Sequence, residues 1–290
     1  MNTKACVRTF PVPEPGKSMA AASSTAFGAL LLRDLVVLRK SLGIFIARTL
    51  IQPFLLVFVF LYVFPLIGEG VGGGSAGGES LFATILVAGV VGLSIMFQGI
   101  QAVALPLATE FGYTKEIEDR VLAPLPVSLV AMGKVVAGAI QGIVAAVIVF
   151  PIASIIHAHG VHPNLVVDWP VLLTLIPLSA VMTSGLGLVL GTVIQPRNIS
   201  AMFGFIILPM TFLGGTYYPW TALEAVKVGG FSWLQALVCV NPLIYVTEGF
   251  RAALTRAPHM PLYVVYPVLT GFCVVLLGVG CRAFRRRVIS

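Results

Sequence analysis

Charge is what this chain of 290 residues lacks. Asp, Glu, Lys and Arg make up 10% of it and hydrophobic residues 58%, where a soluble domain carries about 25% charged residues. That balance excludes a water-soluble globular fold and points to repeated passage through a bilayer. Acids are the scarcer sign, eleven against eighteen Lys and Arg, and none falls inside the long apolar runs. Carriers driven by protons or sodium keep carboxylates or histidines within their spans to hold the coupling ion. A bundle without buried acids therefore makes an ion-coupled secondary transporter the weaker reading.

Other absences narrow the field further. Cysteine is sparse, and Cys6, Cys239, Cys273 and Cys281 have no metal-ligand spacing. His157, His159 and His162 lie close together in a polar loop, but their spacing shares no helical face, so no metal site is expected. Residues 1–24 contain three prolines and no apolar core, and read as a flexible tail rather than a signal peptide. Pro15-Gly16-Lys17-Ser18 ends like a phosphate loop. Pro11 stands where that motif needs glycine, and the neighbouring prolines remove N–H groups that would cradle phosphate. No nucleotide site is expected in this chain.

What is present is a series of runs without formal charge. They place six spans at about 44–67, 81–109, 135–156, 169–195, 198–223 and 260–281, each near the ~20 residues that a helix needs to cross. Lipid demands that such segments satisfy their own backbone, which makes the expected fold an all-α membrane protein. Residues 231–247 are also free of formal charge but hold Asn241-Pro242 in their midst. A seventh span there would reverse the C-terminal arginines, so 224–257 reads as a re-entrant helical hairpin between spans five and six. With both termini cytoplasmic, only Lys227, Arg251 and Arg256 of the basic residues face outward, a strong positive-inside bias. The net charge of +7 then serves orientation and anionic lipid rather than nucleic acid.

Two segments stand out against this background. Phe27, Leu31, Leu35, Leu38 and Leu42 fall within about an 80° band on a helical wheel, with Arg33, Asp34, Arg39 and Lys40 outside it. Residues 25–43 are therefore expected to form an amphipathic interface helix on the membrane surface, as a lipid anchor alone or also as a contact for a soluble partner. The second segment, 110–134, concentrates charge: Glu110, Lys115, Glu116, Glu118, Asp119, Arg120 and Lys134. Helix-spaced pairs of opposite sign suit a short helix, which Pro124 and Pro126 end. Either a solvated loop or a docking element fits that pattern.

The order of these features resembles the membrane permease subunits of ABC exporters of the 2-type class, the daunorubicin-resistance and polysaccharide-export group. The resemblance rests on Glu110 with Lys115-Glu116-Ile117-Glu118-Asp119-Arg120, then Pro124-Leu125-Pro126 and Gly133-Lys134. It rests also on Tyr217-Tyr218-Pro219, Trp233-Leu234-Gln235, and Asn241-Pro242-Leu243-Ile244-Tyr245 with Glu248 and Arg251. It extends over residues 25–287. The resemblance implies that Glu110, Lys115, Glu116, Glu118, Asp119 and Arg120 form a coupling helix seated on a cytosolic ATPase subunit. It implies that Phe27, Leu31, Arg33, Leu35 and Arg39 of the interface helix meet the same subunit. Tyr217, Tyr218, Trp233, Asn241, Pro242, Tyr245, Glu248 and Arg251 would line the outer mouth of a path. ATP and Mg would sit on the partner, in two copies, beneath two permease chains, identical or paralogous, in the cell (inner) membrane.

The apolar walls suggest a drug-like or lipid substrate, with polysaccharide or lipid-linked glycan as the alternative. An intramembrane hydrolase built on Ser184-Gly185 would need a histidine base within a span, and the spans hold none.

Overall fold

The computed structural model describes residues 19–67, 76–114, 126–156, 163–225, 227 and 232–289, and every regular element among them is helical. Helix α1 is Met19–Lys40. Helix α2, Leu42–Phe58, continues through a π turn, Val59–Val63, to Phe64–Leu66. Helix α3, Ala76–Thr109, ends in a second π turn, Glu110–Thr114. Helices α4 (Val127–Ile155) and α5 (Trp169–Val193) follow. After a tight turn at Pro196–Asn198, α6 joins Ile199–Met202, a π turn Phe203–Ile207, and Leu208–Phe212. A turn at Trp220–Ala225 leads to α7 (Trp233–Val238), α8 (Pro242–Leu254) and α9 (Leu262–Ile289).

Five segments are long and apolar enough to cross a membrane: Leu42–Leu66, Gly77–Gly112, Val127–Ile152, Trp169–Val193 and Leu262–Val288. They coincide with the expected first, second, third, fourth and sixth spans, but their ends differ. Helix α4 begins before Lys134, and α9 runs on through the arginines to Ile289. A charge marks the end of an apolar run, whereas helical hydrogen bonding continues past any Lys or Arg whose head group finds water or a partner.

The expected fifth span behaves differently. Helix α6, Ile199–Phe212, supplies about 21 Å of helix at 1.5 Å per residue, short of the ~30 Å hydrocarbon core. Irregular chain follows at 213–219, and its partners are described below.

Successive helices reverse direction, which gives the bundle two ends. One brings together Glu110, Lys134 and Arg287, and is here the arginine-rich end. The other gathers Phe60, Phe82 and Tyr217, and is here the aromatic end. Helix α3 is the central post. It packs against α4, α5 and α8, and its Gly77–Gly112 stretch is the most buried of the five, at 78%, against 11% for Leu262–Val288 of α9. A helix apolar all round has to be enclosed by neighbours or by lipid, and these two helices take the two solutions.

The approach of α5 to α3 depends on small residues. A Cβ on Gly187 would lie 2.8 Å from the Ile100 carbonyl oxygen, and one on Gly191 would lie 2.9 Å from the Ala104 Cα. The Gly187-x-x-x-Gly191 spacing is thus a close-packing face, where dispersion contacts between backbones hold helices that lipid does not push together.

Helix α1 lies against the arginine-rich end of α4. Phe27 meets Gly133, and Ala26 and Leu30 join the cluster of Val130, Val135 and Phe284. Leu31 and Leu35 are half-buried, and Arg33 and Arg39 are exposed. Leu32 and Val37 are exposed as well, so the apolar surface of α1 is broader than the expected band.

Candidate functional site

Three assemblies of polar residues interrupt the apolar bundle. The first holds the irregular chain after α6. Backbone without helical partners is tolerated at membrane depth only where protein supplies the missing hydrogen bonds. Helix α8 does so, with nearly all of its residues buried.

The start of α8 is fixed by Asn241, whose Oδ1 accepts from the Leu243 N–H at 3.0 Å, with Pro242 in the first turn. The same side chain donates from Nδ2 to the Met210 carbonyl at 2.7 Å, tying α8 to α6. One turn on, Thr247 donates to the Gly214 carbonyl at 2.6 Å. Gly215 takes φ +67°, a conformation that glycine adopts without cost. Its carbonyl accepts from Arg251 Nη2 at 2.8 Å.

Glu248 completes the latch. Its Oε1 accepts from the Trp220 N–H at 2.6 Å and from Arg251 Nη1. Its Oε2 accepts from the Met260 N–H at 2.7 Å, just before α9. Both side chains of this ion pair have no exposure at all.

Two features differ from what the sequence suggests. Glu248, Arg251 and Tyr245, expected at the outer mouth of a path, are buried within the chain and hold backbone. The Tyr245 hydroxyl donates to the Cys239 carbonyl at 3.0 Å. The bundle is also not devoid of buried acids, since Glu110 and Glu248 are both enclosed. Their burial is not legible in the sequence, because each lies beside, rather than within, a long charge-free run. Of the other residues assigned to the mouth, Tyr217 stacks on Phe212 and packs against Phe60, and Trp233 is largely exposed. The Tyr218 hydroxyl donates to the Phe212 carbonyl at 2.8 Å.

The second assembly is at the arginine-rich end, where α3 gives way to the charged segment. Glu110 was expected in water. It is 7% exposed and makes a 2.5 Å ion pair with Lys134 of α4, equally enclosed. Beside it, Phe111 packs edge-on against Phe284 of α9, and the Arg287 guanidinium lies over the Phe111 ring at 4.5 Å. Arg287 also donates to the Ile194 carbonyl at 3.1 Å and to the Thr192 carbonyl, closing the C-terminal end of α5 where orphan carbonyls and the helix dipole favour a cation. The π turn after α3 thus touches α4, α9 and the end of α5 at once. Lys115, Glu116, Glu118, Asp119 and Arg120 lie outside the described residues. So do His157, His159, His162 and the Pro15-Gly16-Lys17-Ser18 stretch. Sequence reasoning missed Arg287, because it sits in a run of arginines indistinguishable from an orienting tail.

The third assembly is a groove between α2 and α3, opening toward the arginine-rich end. Two adjoining hollows, of about 510 and 580 Å³, share Ile44, Gln98 and Gln101 along their walls. Thr49 of α2 and Gln98 of α3 hydrogen-bond to each other on its floor. Elsewhere, Ser184 Oγ is buried with no hydrogen-bond partner among the described residues.

Comparison with known proteins agrees with this architecture. The inner membrane transport permease YadH of Escherichia coli K12 is 28% identical over 196 residues, which cover 67% of this chain and 71% of the relative. The protein of the same name in Shigella flexneri matches with the same identity and coverage. The family model described as ABC-2 type transporter matches residues 25–255. This multi-pass membrane chain therefore belongs to the ABC-2 type transporter family, whose members are transport permeases working with an ATPase subunit.

Proposed function

We propose that the chain is the permease half of an ATP-driven exporter, carrying hydrophobic or amphiphilic molecules, drug-like or lipid, out of the cell. Two copies, or this chain and a paralogue, stand side by side above two cytosolic ATPase subunits that hold ATP and Mg. The arginine-rich end faces the cytoplasm, in keeping with the positive-inside bias, and both termini lie there. Six crossings follow, with α6 and the latched chain after it as the fifth and the α7–α8 segment as a re-entrant hairpin on the outer side. Phe54, Tyr62, Phe205 and Phe212 expose large apolar surfaces on α2 and α6, and these faces meet the second copy along the path.

One observation carries the reading: the junction around Glu110 and Phe111. A push on residues 115–120 would reach α3 along the chain through the turn 110–114. That turn is bound to Lys134 of α4, Phe284 of α9 and, through Arg287, the end of α5. Helix α1 packs on the same end of α4, so Phe27, Leu31, Arg33, Leu35 and Arg39 belong to the surface offered to the ATPase.

Charge reversal tests it. The Glu116→Lys, Arg120→Glu double variant is expected to lose co-purification with the ATPase subunit, or its substrate-stimulated hydrolysis, while the membrane chain still folds. Full stimulation and transport by that variant would overturn the docking role.

A further inference from the structure

The groove between α2 and α3 lies apart from the latch, and it meets the junction only at the Glu110–Lys134 pair on its border. Its lining is unusual for the inside of a membrane bundle. Gln52, Gln98 and Gln101, with Thr49 and Ser94, face one space, and Gln141 of α4 stands at its wider part. Carboxamides at membrane depth are costly unless they meet protein, water or a ligand. Thr49 and Gln98 meet each other, but Gln52 is exposed.

Backbone acceptors reinforce the pattern. Pro53 lies inside α2 and Pro106 inside α3. Proline has no N–H, so the carbonyls four residues back, those of Thr49 and Ala102, lose their α-helical donor. Pro53 and Thr49 line one hollow; Pro106 and Ala102 line the other. Each proline thus leaves a carbonyl without its α-helical donor on a residue that lines the groove.

The charges at its mouth balance. Arg33, Asp34, Glu110 and Lys134 border the wider hollow, two of each sign, and Glu110 is ion-paired with Lys134. The site offers no net field to an anionic or cationic head group. It offers amides, each with an acceptor oxygen and two N–H donors, together with freed carbonyls. Vicinal hydroxyls, which donate and accept at adjacent positions, match that set. The rims are apolar, with Ile44, Ile51, Leu93 and Phe97 beside the amides, so a chain attached to such a head stays in the hydrocarbon.

We propose that the α2–α3 groove binds the uncharged, polyhydroxyl head group of an amphiphile drawn from the inner leaflet, with Gln52 and Gln101 as its principal hydrogen-bonding residues. This rests on the permease reading for its orientation and purpose. It narrows the substrate class from any amphiphile to one whose head group is neutral and hydroxyl-rich, such as a sugar or glycerol on acyl chains.

The test reads binding on the full chain alone, so that it is separable from ATPase docking. The chain is placed in phosphatidylcholine nanodiscs containing a trace of one of three photoreactive lipids with identical tails: glucosyl-diacylglycerol, phosphatidylglycerol or phosphatidylethanolamine. Crosslinked peptides are mapped by mass spectrometry. The glucosyl probe is expected to label residues 49–52 and 94–101 at least about fivefold more than either other probe. The Gln52→Leu, Gln101→Leu double variant, which keeps apolar bulk and inserts normally, is expected to bring that labelling down to the level of the others. Equal labelling by all three lipids, preference for a charged head group, or labelling unchanged in the variant would overturn the proposal. Failure of ATPase co-purification alongside intact, selective labelling would instead overturn the transport reading and leave the site standing.

Discussion

At the residue scale, the Glu248–Arg251 pair sets the stability of the region around the proposed path. The pair is fully enclosed, and each member also serves backbone groups, Glu248 the Trp220 and Met260 N–H and Arg251 the Gly215 carbonyl. Removing one partner leaves a buried, uncompensated charge, a loss of about 3–5 kcal/mol. Glu248→Ala is therefore expected to destabilise by that amount, read as a lower midpoint of thermal unfolding in detergent. Asn241→Ala removes a helix cap worth about 1 kcal/mol, and also leaves the Met210 carbonyl without its donor at 2.7 Å. It should cost less than Glu248→Ala but more than a cap alone. An equal effect of the two substitutions would mean that the ion pair is not the stronger element of the latch. The sequence announced Asn241, Pro242, Glu248 and Arg251 as a group through resemblance. It could not announce their task, because many of the groups they satisfy are backbone carbonyls and N–H groups, at Met210, Gly215, Trp220, Leu243 and Met260, and a backbone atom leaves no mark in the residue pattern.

At the scale of elements, what was legible depended on whether a helix was defined by composition or by contact. The five long helices follow from apolar runs of sufficient length, since each runs through a stretch with at most a few charges. Helix α6 was read as a full span because 198–223 is equally free of charge. Its helix stops at Phe212 because Gly214 and Gly215 follow, and Gly215 takes a conformation that no continuing helix allows. Sequence polarity records the burial of a segment, not the point at which its hydrogen bonds pass from its own helix to a neighbour. The same limit hid Arg287. Its guanidinium joins the end of α5 to the Phe111 ring and so links two helices to the turn at 110–114. Arg287→Ala is expected to leave ATP hydrolysis by the assembled complex near its basal rate while lowering substrate stimulation and transport several-fold. Arg287→Lys should rescue little, because an ammonium cannot both stack on a ring and fork between carbonyls. Measuring hydrolysis and transport side by side decides it, since loss of both in parallel would indicate a folding defect rather than lost coupling.

At the scale of the whole molecule, the question is where the energy for transport enters. Scarcity of acids in the spans argued against ion coupling, yet two carboxylates turn out to be enclosed. Their surroundings restore the argument on different ground. A coupling carboxylate has to lose and regain its proton or sodium during each cycle, and so must be reachable and only loosely satisfied. Glu248 accepts from Arg251 and from two backbone N–H groups, on both of its oxygens. Those three contacts make Glu248 a structural acid, which holds Arg251 and two backbone N–H groups in place. Glu110 is ion-paired with Lys134 through Oε1. On the proposed reading, the work of transport arrives instead as force on the turn beside Glu110, which is bound to Lys134 of α4 and Phe284 of α9. In liposomes, the chain alone should move no amphiphile uphill under a pH or sodium gradient of either direction. Addition of its ATPase subunit with ATP and Mg should start transport. Accumulation driven by a gradient without the subunit would mean that one of the two acids exchanges its ion after all, and Glu110→Gln and Glu248→Gln would then identify which.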